Sequence, residues 1–248
     1  MGRITETVKV LLIINVIFFI GSKMVGAFDL LSVWYIENNN FEFWQVISHM
    51  FMHSEKFYLH IVFNMLALWM FGTPLEQMWG RNKFLFFYFS AGIGAHLFSL
   101  SIDYFQFETI LNILVENGFD RSDIISILNE DKYITSWKSI LTADQFERLN
   151  EIFYGSSLGA SGAIMGLLVA FGLSFPDVKL MMIFIPVPIK AKYFIPIIVA
   201  YDIISGLVGG TSIFGVNIAH WAHVGGALTG FIMAYYWKKN SFNQNRWY

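Results

Sequence analysis

The sequence has no cysteine and few charged residues, and both shortages restrict what the protein can do. The absence of cysteine excludes disulfides, thiol catalysis and cysteine-bound metals. Charged side chains make up 14% of the 248 residues, against about 25% in a typical soluble domain. The sequence also lacks a basic stripe, so we expect no nucleic-acid partner. The 56% of hydrophobic residues and the mean hydropathy of +0.54 indicate a polytopic membrane protein that is surrounded by a lipid bilayer.

Six apolar segments predict six membrane spans in an all-α fold. They cover residues 8–28, 58–79, 84–102, 158–175, 194–208 and 219–237. We interpret the first as a retained span rather than a signal peptide, because no small-residue cleavage site precedes Lys23. The aromatic-rich segment 30–57 is typical of an element in the membrane interface. Residues 180–188 are apolar but short and contain two prolines, which favours a turn at the membrane surface.

The positions of lysine and arginine predict the orientation of the chain. If the N-terminus is cytoplasmic, ten of the sixteen basic residues fall in cytoplasmic segments. These residues are Arg3, Lys9, Arg81, Lys83, Lys179, Lys190, Lys192, Lys238, Lys239 and Arg246. We expect an integral protein of a prokaryotic inner (plasma) membrane, with both termini in the cytoplasm.

A polar segment, residues 103–157, separates the third span from the fourth. Between residues 103 and 151 it has ten acidic and four basic residues. Its apolar residues recur at helical spacing, and Thr142 followed by Gln145 resembles a capping box. We predict a helical insert on the outer face of a single membrane domain over residues 1–248. Two roles stay open for the insert: a cover that meets the water entrance or the substrate, or a solvated loop without a direct role.

Ser161 lies near the start of the fourth apolar segment, beside a helix face that carries almost no side-chain bulk. Gly162 and Gly166 are four residues apart, so they lie on one side of a helix. Such a face lets another helix approach backbone to backbone, which is a common role of small residues in membrane helices. The same lack of bulk leaves space for a substrate beside the oxygen of Ser161. This stretch alone favours packing, and a nucleophilic serine is the alternative.

His223 in the sixth segment offers a base for that serine. His223, Gly226 and Gly230 are at i, i+3 and i+7, which places them on one helix face. Contact between this face and that of Gly162 would bring Ser161 and His223 within hydrogen-bond reach. Serine becomes nucleophilic when a base takes its proton, and histidine titrates in a suitable range. The alternative is that His223 only packs and donates to a backbone carbonyl.

Two further pairs of polar residues lie in or next to apolar segments. His60 and Asn64 are one helical turn apart, and two aligned donors suit a developing oxyanion. Hydrogen bonding between helices is the simpler explanation for Asn64 alone. His49 and His53 raise a metal hypothesis, but neither a His-Glu-x-x-His motif nor a nearby intramembrane carboxylate accompanies them. We expect no metal site and no cofactor.

Taken together, these residues resemble the rhomboid family of intramembrane serine proteases over the six-span core. The motifs that carry the resemblance are Gly159-Ala160-Ser161-Gly162, Ala222-His223-Val224-Gly225-Gly226 with Gly230, His60 with Asn64, and Phe41-Glu42-Phe43-Trp44. The resemblance implies cleavage of transmembrane or juxtamembrane segments of other membrane proteins. It implies a serine–histidine dyad without an acidic third member, in which Ser161 is the nucleophile and His223 the general base. It also implies an oxyanion hole formed by His60, Asn64 and the backbone N–H of Ser161.

The sequence departs from the family pattern at two positions. Gln45 stands where the family often has an arginine, so we expect different anchoring contacts in the first outer loop. Met165 stands where an aromatic residue often stacks on the histidine, and a thioether can still pack there. We interpret Asp202 in the fifth span as structural or pocket-lining. Two other functions stay open: a catalytically silent rhomboid-like binding protein, and a transporter.

Overall fold

The computed structural model describes residues 3–55, 57–182, 185–208 and 219–244, and its backbone is mostly helical. The first half contains α1 (Glu6–Val25), α2 (Phe28–Leu31), α3 (Gln45–Ser48), α4 (Leu59–Ala67), α5 (Thr73–Trp79) and α6 (Arg81–Glu116). The second half contains α7 (Arg121–Asn129), α8 (Trp137–Ile140), α9 (Ala143–Tyr154), α10 (Ser161–Ser174), α11 (Ala191–Val208) and α12 (His220–Gln244). A 3-10 turn (His49–Phe51) follows α3, and a π-helical turn (Leu68–Gly72) joins α4 to α5.

The predicted all-α fold needs one correction, at residues 180–188. Instead of a simple turn, the chain forms an antiparallel hairpin of β1 (Lys179–Met182) and β2 (Ile185–Lys190). A hairpin of two strands has only edge strands, and an edge strand tolerates proline because many of its N–H groups are not needed for pairing. The two prolines therefore excluded a span at this position but did not exclude a strand.

Within the described ranges, α1, α6 and α11 are long and apolar enough to cross a membrane. The other three predicted spans do not form a single helix of that length and hydropathy, each for a different reason. α10 has 14 residues, and its length of about 21 Å is less than the roughly 30 Å of a hydrocarbon core. The π-helical turn divides the second predicted span. α12 carries two histidines in its first turn and two lysines near its end, which lowers its mean hydropathy.

Two helix ends differ from the predicted span limits. α10 begins at Ser161 rather than near residue 158, because Gly159 has a φ of +120°, which is outside the helical region. α6 has 36 residues and continues to Glu116, so its length of about 54 Å exceeds the bilayer core. The first part of the predicted insert is therefore an extension of the third span.

α10 is the most enclosed helix of the bundle. Ten consecutive residues, 162–171, are buried along it. We call the apolar cluster around it the bundle core, and its fully buried members include Val8, Leu68, Leu75, Phe84, Phe87, Tyr88, Ala91, Ala160 and Leu167. α1 differs, because Val10, Ile13 and Ile17 on its outer face are exposed, as expected of a helix that faces lipid.

A second apolar cluster, the insert core, surrounds the far end of α6. It consists of Tyr35, Phe107, Ile110, Leu111, Leu114, Ile124, Leu128, Trp137, Leu141, Leu149, Ile152 and Phe153. The predicted capping box is confirmed, because Thr142 Oγ1 accepts from the Gln145 N–H while Gln145 Oε1 accepts from the Thr142 N–H. The helical character predicted for the insert is confirmed by α7, α8 and α9.

The insert is joined to the loop that follows α2. Val33 and Ser157 form an isolated antiparallel bridge, with N–H···O distances of 3.0 and 2.8 Å. Asn38 Nδ2 donates to the buried carbonyl of Phe153 at 2.7 Å. Because Ser157 is four residues before Ser161, these contacts fix the chain shortly before α10 begins.

Gln45 anchors this first loop. Its Nε2 donates to the carbonyl oxygens of Asn40 at 2.8 Å and Leu30 at 3.3 Å. Its Oε1 accepts from the backbone N–H of Glu42 at 3.1 Å and of Trp34 at 3.3 Å. The residue is fully buried. An amide both donates and accepts, whereas an arginine only donates, so the anchoring contacts differ in kind from those of an arginine.

Candidate active site

The segment before α10 turns at Gly159, whose φ of +120° is a conformation that favours glycine. The Gly159 N–H donates to the carbonyl of His49 at 2.9 Å. A Cβ at Gly159 would lie 3.2 Å from the His60 ring and 3.6 Å from Ser161 Oγ. Glycine at this position therefore leaves open the space that Ser161 and His60 share.

α10 and α12 meet through their glycines. A Cβ on Gly226 would overlap the carbonyl oxygen of Gly162, and one on Gly230 would lie 2.5 Å from the Cα of Gly166. These are backbone-to-backbone approaches, so the expected contact between the two small helix faces is confirmed.

Ser161 and His223 lie next to this contact. The carbonyl oxygen of Ala222 is 3.5 Å from the position of a Cβ on Gly162. The backbone segments that carry His223 and Ser161 therefore come close together here. The His223 side chain is 18% exposed. Among the described residues, no hydrogen bond joins Ser161 Oγ to the His223 ring. Catalytic hydrogen bonds are often long in free enzymes and shorten when substrate binds.

His60 presents a hydrogen-bond donor to the space beside Ser161. Its Nδ1 accepts from the Ser54 N–H at 3.3 Å, so the neutral ring carries its proton on Nε2. Nε2 is 3.3 Å from the position of a Cβ on Gly159. Asn64 is buried one turn along α4, and its Nδ2 donates to the His60 carbonyl at 2.8 Å. In the part of the chain described here, Asn64 has no hydrogen bond to Ser161.

Comparison with known proteins decides the family. The sequence matches the Rhomboid domain over residues 40–240, which is more than half of the chain. The protein belongs to the rhomboid family. It is therefore a polytopic helical membrane protein, and the matched region contains His60, Asn64, Ser161 and His223.

Three relatives illustrate how far the similarity extends. "Rhomboid protein 1, mitochondrial" of Saccharomyces cerevisiae is 29% identical over 194 residues, which cover 78% of this chain and 42% of the relative. "Presenilin-associated rhomboid-like protein A, mitochondrial" of Danio rerio is 31% identical over 173 residues, which cover 69% and 32%. "Rhomboid protease AarA" of Providencia stuartii is 26% identical over 206 residues, which cover 78% and 55%. This rhomboid chain therefore spans about half or less of the length of these relatives.

A small cavity lies beside Ser161 in this rhomboid. Its polar lining comes from His49, His96, Ser157 and Ser161. Its volume is about 20 Å³, which is enough for about one water molecule. The cavity therefore offers space for one water molecule or a carbonyl oxygen next to the serine.

The predicted pair of His49 and His53 does not converge on one site. His49 lies in the 3-10 turn and Met52 is extended, so the helical i, i+4 alignment is lost. The ring centroids of His49 and His96 are 5.1 Å apart, whereas the His53 ring lies beside His60, with centroids 5.3 Å apart. Met165, the other departure from the rhomboid pattern, is buried in the bundle core.

The contact between Asp202 and the histidines of α12 was missed by sequence reasoning. Asp202 is 3% exposed, and its Oδ1 is 2.6 Å from His220 Nδ1 and 3.2 Å from His223 Nδ1. A carboxylate inside a membrane helix requires hydrogen-bond donors. That requirement was the available signal, because histidines on a neighbouring span are suitable donors.

Proposed function

We propose that this rhomboid is an intramembrane serine endopeptidase that cleaves transmembrane or juxtamembrane segments of membrane proteins. The close approach of α10 and α12 at their glycines supports this most directly, since Ser161 and His223 are next to that contact. The Rhomboid domain match and the name of AarA as a protease support the same function.

In the proposed reaction, Ser161 and His223 form the catalytic pair. Ser161 Oγ attacks the scissile carbonyl carbon while His223 takes the hydroxyl proton. His223 then gives this proton to the departing amine, which leaves an acyl ester on the serine. A water molecule, deprotonated by His223, attacks the ester, releases the new carboxyl terminus and restores the serine. Neither a metal nor a cofactor takes part in these steps.

The carbonyl oxygen becomes negative during each attack and needs donors. We assign this role to His60 Nε2–H, the backbone N–H of Ser161 and the side chain of Asn64. The hydrogen bond from Ser54 supports the required tautomer of His60. Ser161 is the first residue of α10, so its N–H is not needed within the helix. Asn64 would use the amide N–H that is not donated to the His60 carbonyl.

We further propose six membrane spans in one domain over residues 1–248. They would be α1, α4 with α5, α6, α10, α11 and α12. α10 is shorter than a bilayer core but is enclosed by other helices, so it does not have to face lipid along its length. The insert would lie on the outer face and both termini in the cytoplasm of a prokaryotic plasma membrane. The distribution of basic residues and the bacterial relative AarA support this arrangement.

Cleavage of a reporter transmembrane substrate by the purified full-length chain tests the function. Ser161→Ala removes one oxygen, so it should abolish cleavage and leave the melting temperature unchanged. Ser101→Ala is the matched control, because the Ser101 hydroxyl is exposed and donates to a carbonyl of its own helix. Equal cleavage by both variants would contradict the proposal. A folded wild type that binds the substrate without cutting it would favour the silent binding protein instead.

A further inference from the structure

A buried carboxylate of α11 faces the first turn of α12. Asp202 lies in a helix that is long and apolar enough to cross a membrane, and it is 3% exposed. Its Oδ1 is 2.6 Å from Nδ1 of His220 and 3.2 Å from Nδ1 of His223. One carboxylate oxygen therefore contacts the same ring position of both histidines.

This contact determines which nitrogen of His223 carries a proton. An ionised carboxylate only accepts hydrogen bonds, so Nδ1 of the ring must be the donor. In the neutral ring Nε2 is then free to accept a proton, which is the state that a general base requires. When Nε2 takes a proton, the nearby carboxylate stabilises the positive ring.

We infer that Asp202 is a positioning residue for His223, so that the reaction uses three residues, Ser161, His223 and Asp202. This inference rests on the proposed function. It differs from the dyad without an acidic member that the family resemblance implies. Asp202 would not touch the substrate but would act through the orientation and basicity of His223.

His220 provides the structural alternative, because it shares the same carboxylate oxygen at a shorter distance. Its ring is 3% exposed and packs edge-on against Tyr201, with ring centroids 5.9 Å apart. Among the described residues its Nε2 has no hydrogen-bond partner. Asp202 would then only join α11 to α12 through His220. An experiment must therefore separate the effects of the two histidines.

Three titratable groups interact with His223 among the described residues and contribute to its pH dependence. They are Asp202 on α11, His220 on α12 and His60 on α4. Among these three, Asp202 is the one carboxylate. Its removal should therefore change the acidic limb of the pH–rate profile more than removal of His220 or His60.

The test compares Asp202→Asn, Asp202→Glu and His220→Gln with the wild type as full-length proteins. Cleavage of the transmembrane reporter is measured between about pH 5 and 9, with kcat and KM separated. Asp202→Asn should lower kcat on the order of 10²-fold with little change in KM, because an amide can hold His223 in the wrong tautomer. Its acidic limb should move to lower pH, since the protonated ring loses its counter-charge. Asp202→Glu should recover part of kcat and the wild-type limb.

Asp177→Asn is the matched control for loss of a carboxylate. Asp177 is exposed before α11 and pairs with Lys190 and Lys192, so this variant should behave as the wild type. If Asp202→Asn does not fold, Asp202→Ser replaces it with the same expectations.

Two results would overturn the inference while cleavage by the wild type remains. The first is that Asp202→Asn keeps the kcat and the acidic limb of the wild type. The second is that His220→Gln loses as much kcat as Asp202→Asn and shifts the acidic limb as far, which would mean that the carboxylate acts through His220. A folded wild type that does not cleave at all would instead refute the proposed function, and this inference with it.

Discussion

The contact between α10 and α12 and the insert core are stabilised in opposite ways. Between α10 and α12, contact depends on the absence of side chains at Gly162, Gly166, Gly226 and Gly230. The insert core depends on large side chains, such as the fully buried Trp137. Lipid is as apolar as a membrane helix, so helices in a bilayer associate through close packing. In water, removing apolar area from solvent stabilises by about 25 cal/mol per Å².

The polar contacts of the two regions differ in their exposure to solvent. The insert carries surface ion pairs, such as Arg121 with Glu37 and Lys132 with Glu130. Exposed pairs of this kind contribute about 0–1 kcal/mol and are screened by salt. In the bundle, Asp202 is buried and must be hydrogen-bonded. The bundle should therefore be sensitive to added volume and lost donors, and the insert to lost apolar area.

Gly226→Val should have the largest effect, because it adds volume at the backbone contact between α10 and α12. Its Cβ would overlap the Gly162 carbonyl, and a backbone atom cannot move aside as a side chain can. Overpacking costs about 1–3 kcal/mol, and more in a rigid contact. We expect a lower melting temperature and loss of cleavage. Gly21→Val is the matched control, because a Cβ on Gly21 would meet nothing within 4 Å. An unchanged melting temperature in Gly226→Val would mean that the approach of the two helices is not essential.

Trp137→Ala should destabilise the insert by about 3–5 kcal/mol, because it leaves a large cavity in the insert core. Hydrogen exchange measures this region by region. Amides of α7, α8 and α9 should exchange faster, while those of α10 keep their protection. Phe105→Ala is the control, since Phe105 is exposed and its loss should change stability by less than about 0.5 kcal/mol. An equal loss of protection in α10 would show that the two cores are not independent.

Features that depend on residues close together in the sequence could be predicted from it. Hydropathy located α1, α6 and α11, and the spacing of Gly162 and Gly166 predicted a small helix face, because both signals are local. The capping box at Thr142 was local as well. Hydropathy did not locate the start of α10, because Gly159 stops the helix by its backbone conformation rather than by polarity.

Features that depend on neighbouring elements were harder to predict. The extension of α6 into the insert was not predicted, because helical spacing after position 102 does not show whether that helix continues the third span or begins anew. The contact of Asp202 with His220 and His223 depends on which helices are neighbours, and the spacing along one chain does not contain that information.

The smallest predicted effect concerns acid and the start of α7. Asp120 Oδ1 accepts from the hydroxyl and the N–H of Ser122, and these bonds lower the pKa of Asp120 from its ordinary value of 3.8. A folded pKa below the unfolded one means that this stability is complete above about pH 4 and is lost as the pH falls through the folded value. Hydrogen exchange should show α7 losing protection below about pH 4 before α9, whose cap is the neutral Thr142.

Asp120→Asn supplies the control for this acid effect. An asparagine keeps a capping oxygen but does not titrate. In this variant the difference between α7 and α9 should no longer depend on pH. If the wild-type helices already lose protection together, the Asp120 cap does not control the acid response of α7.

The central claim is that Ser161 is an activated nucleophile, and covalent labelling tests it most directly. The full-length protein is treated with a serine-reactive phosphonate probe, and the modified residue is located by mass spectrometry. We predict modification of Ser161, with much less labelling in His223→Ala and none in Ser161→Ala. A folded protein that takes no label, or one labelled at Ser157 in the same cavity instead, would contradict the claim.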